Sequence, residues 1–433
     1  MPPPLPKGTW GLLLGEMSML KFVVKRTREI QPFQEDKIHR AITQAAKDLE
    51  SNPTKLADKV VKKVVKRVNS WGLERVHVDQ IHVLVENTLM DLKLYEVAKQ
   101  YIRYRDANKP DIFRSRQEIK PYEYPHLLQY VDAIRHSYWL HSEFSYESDI
   151  QDYKVNMSDE ERETVKRAML AISQIESSVK KFWGRLDEKL PKPEISKVGA
   201  TFSESEVRHE DAYSNLLEML GLNNEFKDLK NVPCMDSRIK YLEKVNRNIR
   251  STEPREFFET IVLFSMFIEN VSLFSQFLIL MSFNKHKNQL KGISNAIEAT
   301  SKEEEIHARF GFDLVNIIKE ENPEWFDDDL VEYIKQIAYE AYDAEKEIVE
   351  WIYGEGDYNF LQKETVLEYI KNRINQSLNS IGVSPVFSTD PKLLTDVEWF
   401  DDEMLTTKSN DFFYKRVTNY AKRNMSITAE DLY

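Results

Sequence analysis

Apolar positions recur with a period near 3.6 along most of the chain, which predicts a mainly α protein. The exception is the stretch LKFVVKRTREIQPF at residues 20–33, which reads as a strand, a polar turn at Thr27–Glu29 and a short return through Ile30 and Pro32-Phe33. A helix follows from about Glu35, with Ile38, Ala41, Ile42 and Ala45 on one face. Further amphipathic helices are predicted from about Leu56 to Val68, Val78 to Leu92 and Leu94 to Tyr104. Residues 20–106 therefore form a small α+β module. Residues 107–118, around Asn108-Lys-Pro-Asp-Ile, read as a linker. A helical bundle is expected over 119–405, with helices near 160–186, 200–221, 255–283 and 290–320. Residues 1–19 read as a disordered extension, for which Met17 or Met19 would serve as an alternative start. Residues 406–433 lack periodicity and read as a mobile tail.

Within the bundle, Ile261–Phe283 is apolar on all sides and long enough to span a bilayer. It also holds Glu269, Asn270 and Gln276, and a carboxylate at mid-bilayer is costly. The centre of a large bundle needs the same kind of helix. A buried helix is the expectation, with no membrane contact, and Glu269 then needs a reason to be buried.

Two short patterns supply that reason. Glu176 stands alone on an apolar helix and is followed by Glu206-Val-Arg-His209. Glu269 stands alone on another and is followed by Glu304-Glu305-Ile-His307. On a helix, positions i and i+3 share a face, so each Glu-x-x-His aims two side chains at one point. A lone Glu and a Glu-x-x-His, each occurring twice, form the ligand set of a dinuclear carboxylate metal site in a four-helix bundle. A third match, Glu74-Arg-Val-His77, has no apolar helix around it and reads as coincidence. Tyr213 lies one turn beyond His209. Leu273 and Phe277, one and two turns after Glu269, would share its face and keep that phenol dry. A tyrosine so placed suits a one-electron oxidised state.

Composition narrows the field. At 433 residues there is room for two or three domains, and only 12 are glycine. The one cysteine, Cys234, rules out a disulfide framework and fits a reducing, cytoplasmic setting. The net charge of −12 argues against a nucleic-acid binder.

The first module resembles an ATP-cone, a regulatory nucleotide-binding domain. The resemblance runs through Val23-Val24-Lys25-Arg26, Pro32-Phe33, Lys37-Ile38, VHVDQIHVLVENTLM and YEVAKQYIRYRD, and covers residues 20–106. Lys25, Arg26 and Lys37 place cations near the opening turn, where phosphates need them. The resemblance implies ATP and dATP as allosteric effectors, with Val23 and His82 lining the site. Thr27-Arg28 departs from the acidic residue and glycine usual at that turn.

The bundle resembles the radical-generating small subunit of class I ribonucleotide reductases, a ferritin-like fold. The resemblance runs through KPYEYPHLLQYVDAIRHSYWLHSEFSYESDI, PKPEISKVGATFSESEVRHEDAYSNLLEMLGL and ATSKEEEIHARFGFDLV. It implies that Glu176, Glu206 and His209 ligate one metal and Glu269, Glu304 and His307 the other. It puts Tyr213 at the radical tyrosine and Trp139 on the electron path, with Glu303 behind His209 and linking it to Trp139. Glu176 and Glu303 stand where aspartate is usual, which leaves the metal pair open among Fe–Fe, Mn–Fe and Mn–Mn. If the metals themselves store the oxidising equivalent, Tyr213 is not the resting radical. The resemblance also implies a homodimer whose tail docks a large subunit and relays through a tyrosine. Tyr420 is the candidate ahead of Tyr414, with Tyr433 as an anchor. ATP would permit that docking, and dATP would join cones into a larger oligomer, such as a tetramer, that blocks it. A stand-alone ferritin-like oxidase is the alternative, and iron storage a third reading. Neither has use for a cone or a relay tail.

Overall fold

The computed structural model describes residues 20–25, 30–107, 109–116, 118–245 and 247–405, without the side chains of 107, 176–181 and 405. Outside that description lie Arg26 and the Thr27–Glu29 turn, Asn108, the side chain of Glu176, and Tyr414, Tyr420 and Tyr433. The chain divides into two compact units, Met1–Pro110 and Asp111–Tyr433.

Among the described residues, the first unit is a three-stranded sheet with four helices. Strand β1 (Phe22–Val24) is central, with β2 (Ile30–Pro32) antiparallel on one side and β3 (Arg75–His77) parallel on the other. The helices are α1 (Glu35–Ala46), α2 (Pro53–Asn69), α3 (Val78–Asp91) and α4 (Tyr95–Ala107). Helix α2 starts where the Asn52 side chain accepts the Lys55 N–H and Pro53 pre-sets the first turn. Where β3 passes into α3, His77 and Gln80 cap each other's backbone. Ile42, Val60, Val64, Val85 and Leu89 bury one face of α1, α2 and α3 in one core with Val23 and Val76 of the sheet.

Strand β3 is absent from the sequence expectation, because three residues are too few for a period to register. It settles the third Glu-x-x-His match. Residues 75–77 are extended, so Glu74 and His77 share no helical face. Glu74 instead lies 3.2 Å from Lys21 Nζ.

Among the described residues, the second unit has nine helices of ten residues or more around one continuous core: Pro233–Val245, which carries Arg238, and eight others. Those eight are α5 (Leu128–Ser137), α6 (Asp159–Trp183), α7 (Pro193–Leu220), α8 (Pro254–Leu263), α9 (Phe274–Lys287), α10 (Lys291–Glu321), α11 (Asp328–Tyr353) and α12 (Lys363–Ser380). Helices α6 and α7 pack together, as do α9 and α10. Pro193 opens α7, and Gly221, in the left-handed region at φ 78°, closes it. Beyond α12 a short helix, Glu398–Leu405, buries Phe400, and its Asp401 accepts from the Tyr369 hydroxyl at 3.1 Å.

The expected unbroken helix over 255–283 is not what forms. After α8 the chain makes a π-turn at Phe264–Ile268, then irregular turns, and restarts at Phe274. The Glu269 N–H bonds Phe264 O at 3.2 Å and the Ser272 N–H bonds Phe267 O at 3.1 Å, each five residues back. Buried backbone freed by the break finds side-chain partners. Arg373 donates to Asn270 O at 3.0 Å, and Arg238, paired with the buried Glu345, donates to Ser272 O. Gly311 of α10 lets the two segments touch, since a Cβ there would stand 2.2 Å from Ser265 Oγ. The sequence hid this break because residues 261–283 are apolar on every side and carry no phase. No helix among the described residues is long and apolar enough to cross a membrane.

Candidate metal centre

Glu206 and His209 project from α7, Glu304 and His307 from α10, and Glu269 from the chain just after the π-turn. All five are buried. Glu206 Oε2 lies 3.3 Å from His209 Nδ1, and its Oε1 lies 3.0 Å from His307 Nδ1. Glu304 repeats the arrangement, with Oε1 3.0 Å from His209 Nδ1 and Oε2 3.3 Å from His307 Nδ1. Glu269 Oε2 lies 3.5 Å from His307 Nδ1. Both Glu206 and Glu304 thus span the gap between the two imidazoles, while Glu269 belongs to the His307 side. The resemblance puts Glu206 with His209 and Glu304 with His307, and each carboxylate also lies beside the other imidazole. Glu176 lies on α6, and its side chain is outside the described residues.

The tautomers follow from the outer partners. Ser205 donates its hydroxyl proton to Phe202 O at 2.8 Å, so its oxygen is left to accept from His307 Nε2, 2.9 Å away. His209 Nε2 faces the Glu303 carboxylate at 2.8 Å and donates to it. In both rings the Nδ1 lone pair then points at carboxylate oxygens. Acceptors facing acceptors in a buried site need a proton or a metal ion among them. Among the described residues, both Glu206 oxygens, Glu269 Oε2, Glu304 Oε1 and His307 Nδ1 are buried without a hydrogen-bond partner. Glu206, Glu269, Glu304 and His307 lie close enough together to hold a metal ion, and a carboxylate–imidazole set of this kind suits iron or manganese.

The electrostatics reflect the same crowding. Burial pushes the Glu269 carboxyl well above its usual range, aided by Glu304 and Glu206. Burial also acts to raise Glu304, but His307 and His209 outweigh it and hold that carboxyl well below the usual range. Burial acts to lower the His307 pKa, but Glu206 and Glu304 overcome it and raise the imidazole well above its ordinary value.

Trp139 is buried and stacks on His209, with ring centroids 6.0 Å apart and planes 20° from parallel. The expected link from His209 through Glu303 to Trp139 is made differently. The indole Nε1 is buried without a hydrogen-bond partner among the described residues. Arg208 bridges instead, donating to Glu303 Oε2 at 3.1 Å and to Trp139 O at 3.2 Å. Ser137 also donates to Glu303 Oε1 at 3.2 Å. Tyr213 is buried on α7, one turn beyond His209. The expectation that Leu273 and Phe277 share the face of Glu269 assumed an unbroken helix, and the break at 264–273 removes that premise. Both are buried nonetheless.

Three functional neighbours escaped the sequence reading. Ser205 and Arg208 flank the ligands within ESEVRH, hidden among ordinary polar residues. Trp183, which donates to Glu269 Oε1 at 3.1 Å, lies seven residues after Glu176, a helical spacing that could have marked it.

In the first unit, Val23 is in the domain core, paired with Gln31 and Val76 across the sheet. Lys25 follows β1 directly. Lys37 reaches back to β2, its Nζ donating to Gln31 Oε1 at 3.2 Å. His82 is half-buried on α3, with Nδ1 2.9 Å from the Tyr101 hydroxyl.

A helical bundle with two Glu-x-x-His helices and the lone Glu269 converging inside it defines the class of carboxylate-site bundle proteins. The comparisons narrow the class. The family described as "Ribonucleotide reductase, small chain" matches residues 116–393, and the ATP cone domain matches residues 21–110. The chain is 23% identical to the probable ribonucleoside-diphosphate reductase small subunit 048L of Invertebrate iridescent virus 3, over 73% of this chain and 87% of that one. It is 25% identical to the ribonucleoside-diphosphate reductase subunit beta of Chlamydia pneumoniae, over 78% and 98%. A putative class I ribonucleotide reductase from Bacillus halodurans has a similar fold, with a TM-score of 0.59 at 17% identity, over 64% of this chain and 99% of that one. The chain belongs to the ribonucleotide reductase small-chain family and carries an ATP-cone at its N-terminal end.

Proposed function

We propose that this chain is the small subunit of a ribonucleoside-diphosphate reductase, supplying the oxidising equivalent that a large subunit uses to reduce ribonucleotides. The observation that carries this reading is the buried convergence of Glu206, Glu269, Glu304, His209 and His307, with lone pairs facing one another, in a chain of this family. Glu176, from α6, is the sixth residue of the set.

Bound there, a pair of iron or manganese ions supplies the one-electron oxidising power that none of these side chains has by itself. The chain's own residues do the rest. Glu303 and Ser205 fix the imidazole tautomers so that Nδ1 faces the site. Tyr213, in a dry interior, is the residue suited to hold a one-electron oxidised state. Trp139, stacked on His209, leads outward toward a partner docked through the 406–433 tail, where Tyr420 continues the relay.

The cone adds control. ATP at Lys25, Arg26, Lys37, Val23 and His82 leaves a homodimer competent to dock, while dATP assembles cones into a tetramer that does not dock. A ligand shifts such an equilibrium only by its differential affinity for the two states.

The test is reductase activity with the large subunit from the same source. Trp139→Phe is expected to lose activity while still binding metal, and removal of residues 406–433 to abolish docking. Full activity in both would overturn the reading. For control, the full chain is compared with one starting at residue 111 in dATP. Equal inhibition of both would remove the cone from the mechanism.

A further inference from the structure

Helix α6 ends in the pair Phe182-Trp183, and both rings are buried. The Trp183 indole N–H donates to Glu269 Oε1 at 3.1 Å, within an aromatic cage. Phe202 stands edge-on at 5.2 Å, Phe264 at 5.5 Å and Phe182 at 5.1 Å, with Phe310 at 5.7 Å and His307 at 5.9 Å. Phe182 stacks on Phe264 with centroids 3.7 Å apart, and the Phe264 carbonyl receives the Glu269 N–H. Two residues of this cage therefore hold Glu269, Phe264 at its backbone through the π-turn and Trp183 at its carboxylate.

The end of α6 packs closely on α7. Helix α7 presses Gly199 so close that a Cβ there would stand 2.6 Å from the Trp183 carbonyl. An indole N–H is a donor only and does not titrate in water, so it offers Oε1 the same partner at every ordinary pH. The other oxygen, Oε2, has no hydrogen-bond partner among the described residues and lies on the His307 side.

We propose that Trp183 is a positioning residue of the metal centre. By occupying Glu269 Oε1 it presents Oε2 alone beside His307, and so sets the divalent-cation affinity of the His307 half of the site. This rests on the metal-centre reading above. Without the N–H, Glu269 can turn about its last bond and share both oxygens. The half-site nearest His307 then loses preorganisation, while the His209 half, which Glu269 does not approach, keeps its affinity.

The experiment is a Mn(II) titration of the metal-free full-length protein, followed by EPR of free Mn(II) and by elemental analysis. Three proteins are compared: wild type, Trp183→Phe, and the chain with 3-benzothienylalanine at 183, which keeps the bicyclic shape but replaces N–H by sulfur. In both altered proteins one of the two ions is expected to bind about tenfold more weakly or worse, as for lost outer partners of metal ligands, while the other is unchanged. If Trp183→Phe fails to fold, the benzothienyl protein decides alone. Two ions bound with wild-type affinity in the benzothienyl protein would overturn the inference and leave the metal-centre reading intact. Failure of wild type to bind any Mn(II) or Fe(II) would overturn both.

Discussion

His209 Nε2 and Glu303 Oε2 stand 2.8 Å apart in the interior, and the same carboxylate is the buried partner of Arg208. One side chain thus fixes a ligand tautomer and neutralises a guanidinium next to Trp139. Glu303→Ala should leave Arg208 without its interior counter-charge, at a cost of about 3 kcal/mol or more. It should also weaken metal binding by about 10-fold or more through the freed imidazole. Thermal unfolding and a metal titration on the same sample check both. A variant as stable as wild type would show that Glu204 alone suffices for Arg208.

Removing one shared carboxylate should affect both imidazoles. Glu206→Ala takes away an oxygen near each of His209 and His307, so neither half of the site is complete. Elemental analysis should find loading lost at both positions, with helical circular dichroism retained. His307→Ala should lose loading as well. Two metals per chain in either variant would sink the assignment.

Acidity should act on the empty site in a defined direction. In the folded chain His307 and Glu269 both have raised pKa values, His307 from Glu206 and Glu304 against burial, Glu269 chiefly from burial. Groups raised on folding contribute stability below their unfolded values, and lose it as pH rises through the folded values. For His307 that loss begins above roughly pH 6.5, the ordinary imidazole value. Glu304, held low, works the other way and costs stability only in acid. The metal-free protein should therefore melt at lower temperature as pH rises past neutrality. Metal, which displaces those protons, should bind more tightly over the same range. Melting curves with and without Mn(II) should diverge toward alkaline pH, and parallel curves would contradict the ligand set.

The π-turn should depend on a missing methyl group. A Cβ at Gly311 would stand 2.2 Å from Ser265 Oγ and 2.4 Å from Ser265 Cβ. Gly311→Ala should force α10 off the segment that delivers Glu269, at a cost of about 1–3 kcal/mol. Metal affinity should fall with it. Pairing the change with Ser265→Gly removes the colliding side chain and should restore much of the loss.

The sequence by itself determined which residues meet. Glu206 with His209, and Glu304 with His307, are adjacent on their helices by the period of the backbone alone, and a charged glutamate in the apolar run 261–283 had to be buried for a reason. The mainly helical fold was legible for the same cause, because a 3.6-residue repeat is a local property. Tertiary structure decided the rest. Whether Glu206 serves one imidazole or both depends on the separation of two helices distant in sequence. The π-turn before Glu269 has no signal in a segment that is apolar on every side, since its cost is met by Arg238 and Arg373 from elsewhere in the chain. Trp183 looked like any core aromatic until folding brought its one polar atom to Glu269. Its seven-residue spacing from Glu176 could mark a helix face, but the partner is set by packing between helices, which periodicity along the chain does not record.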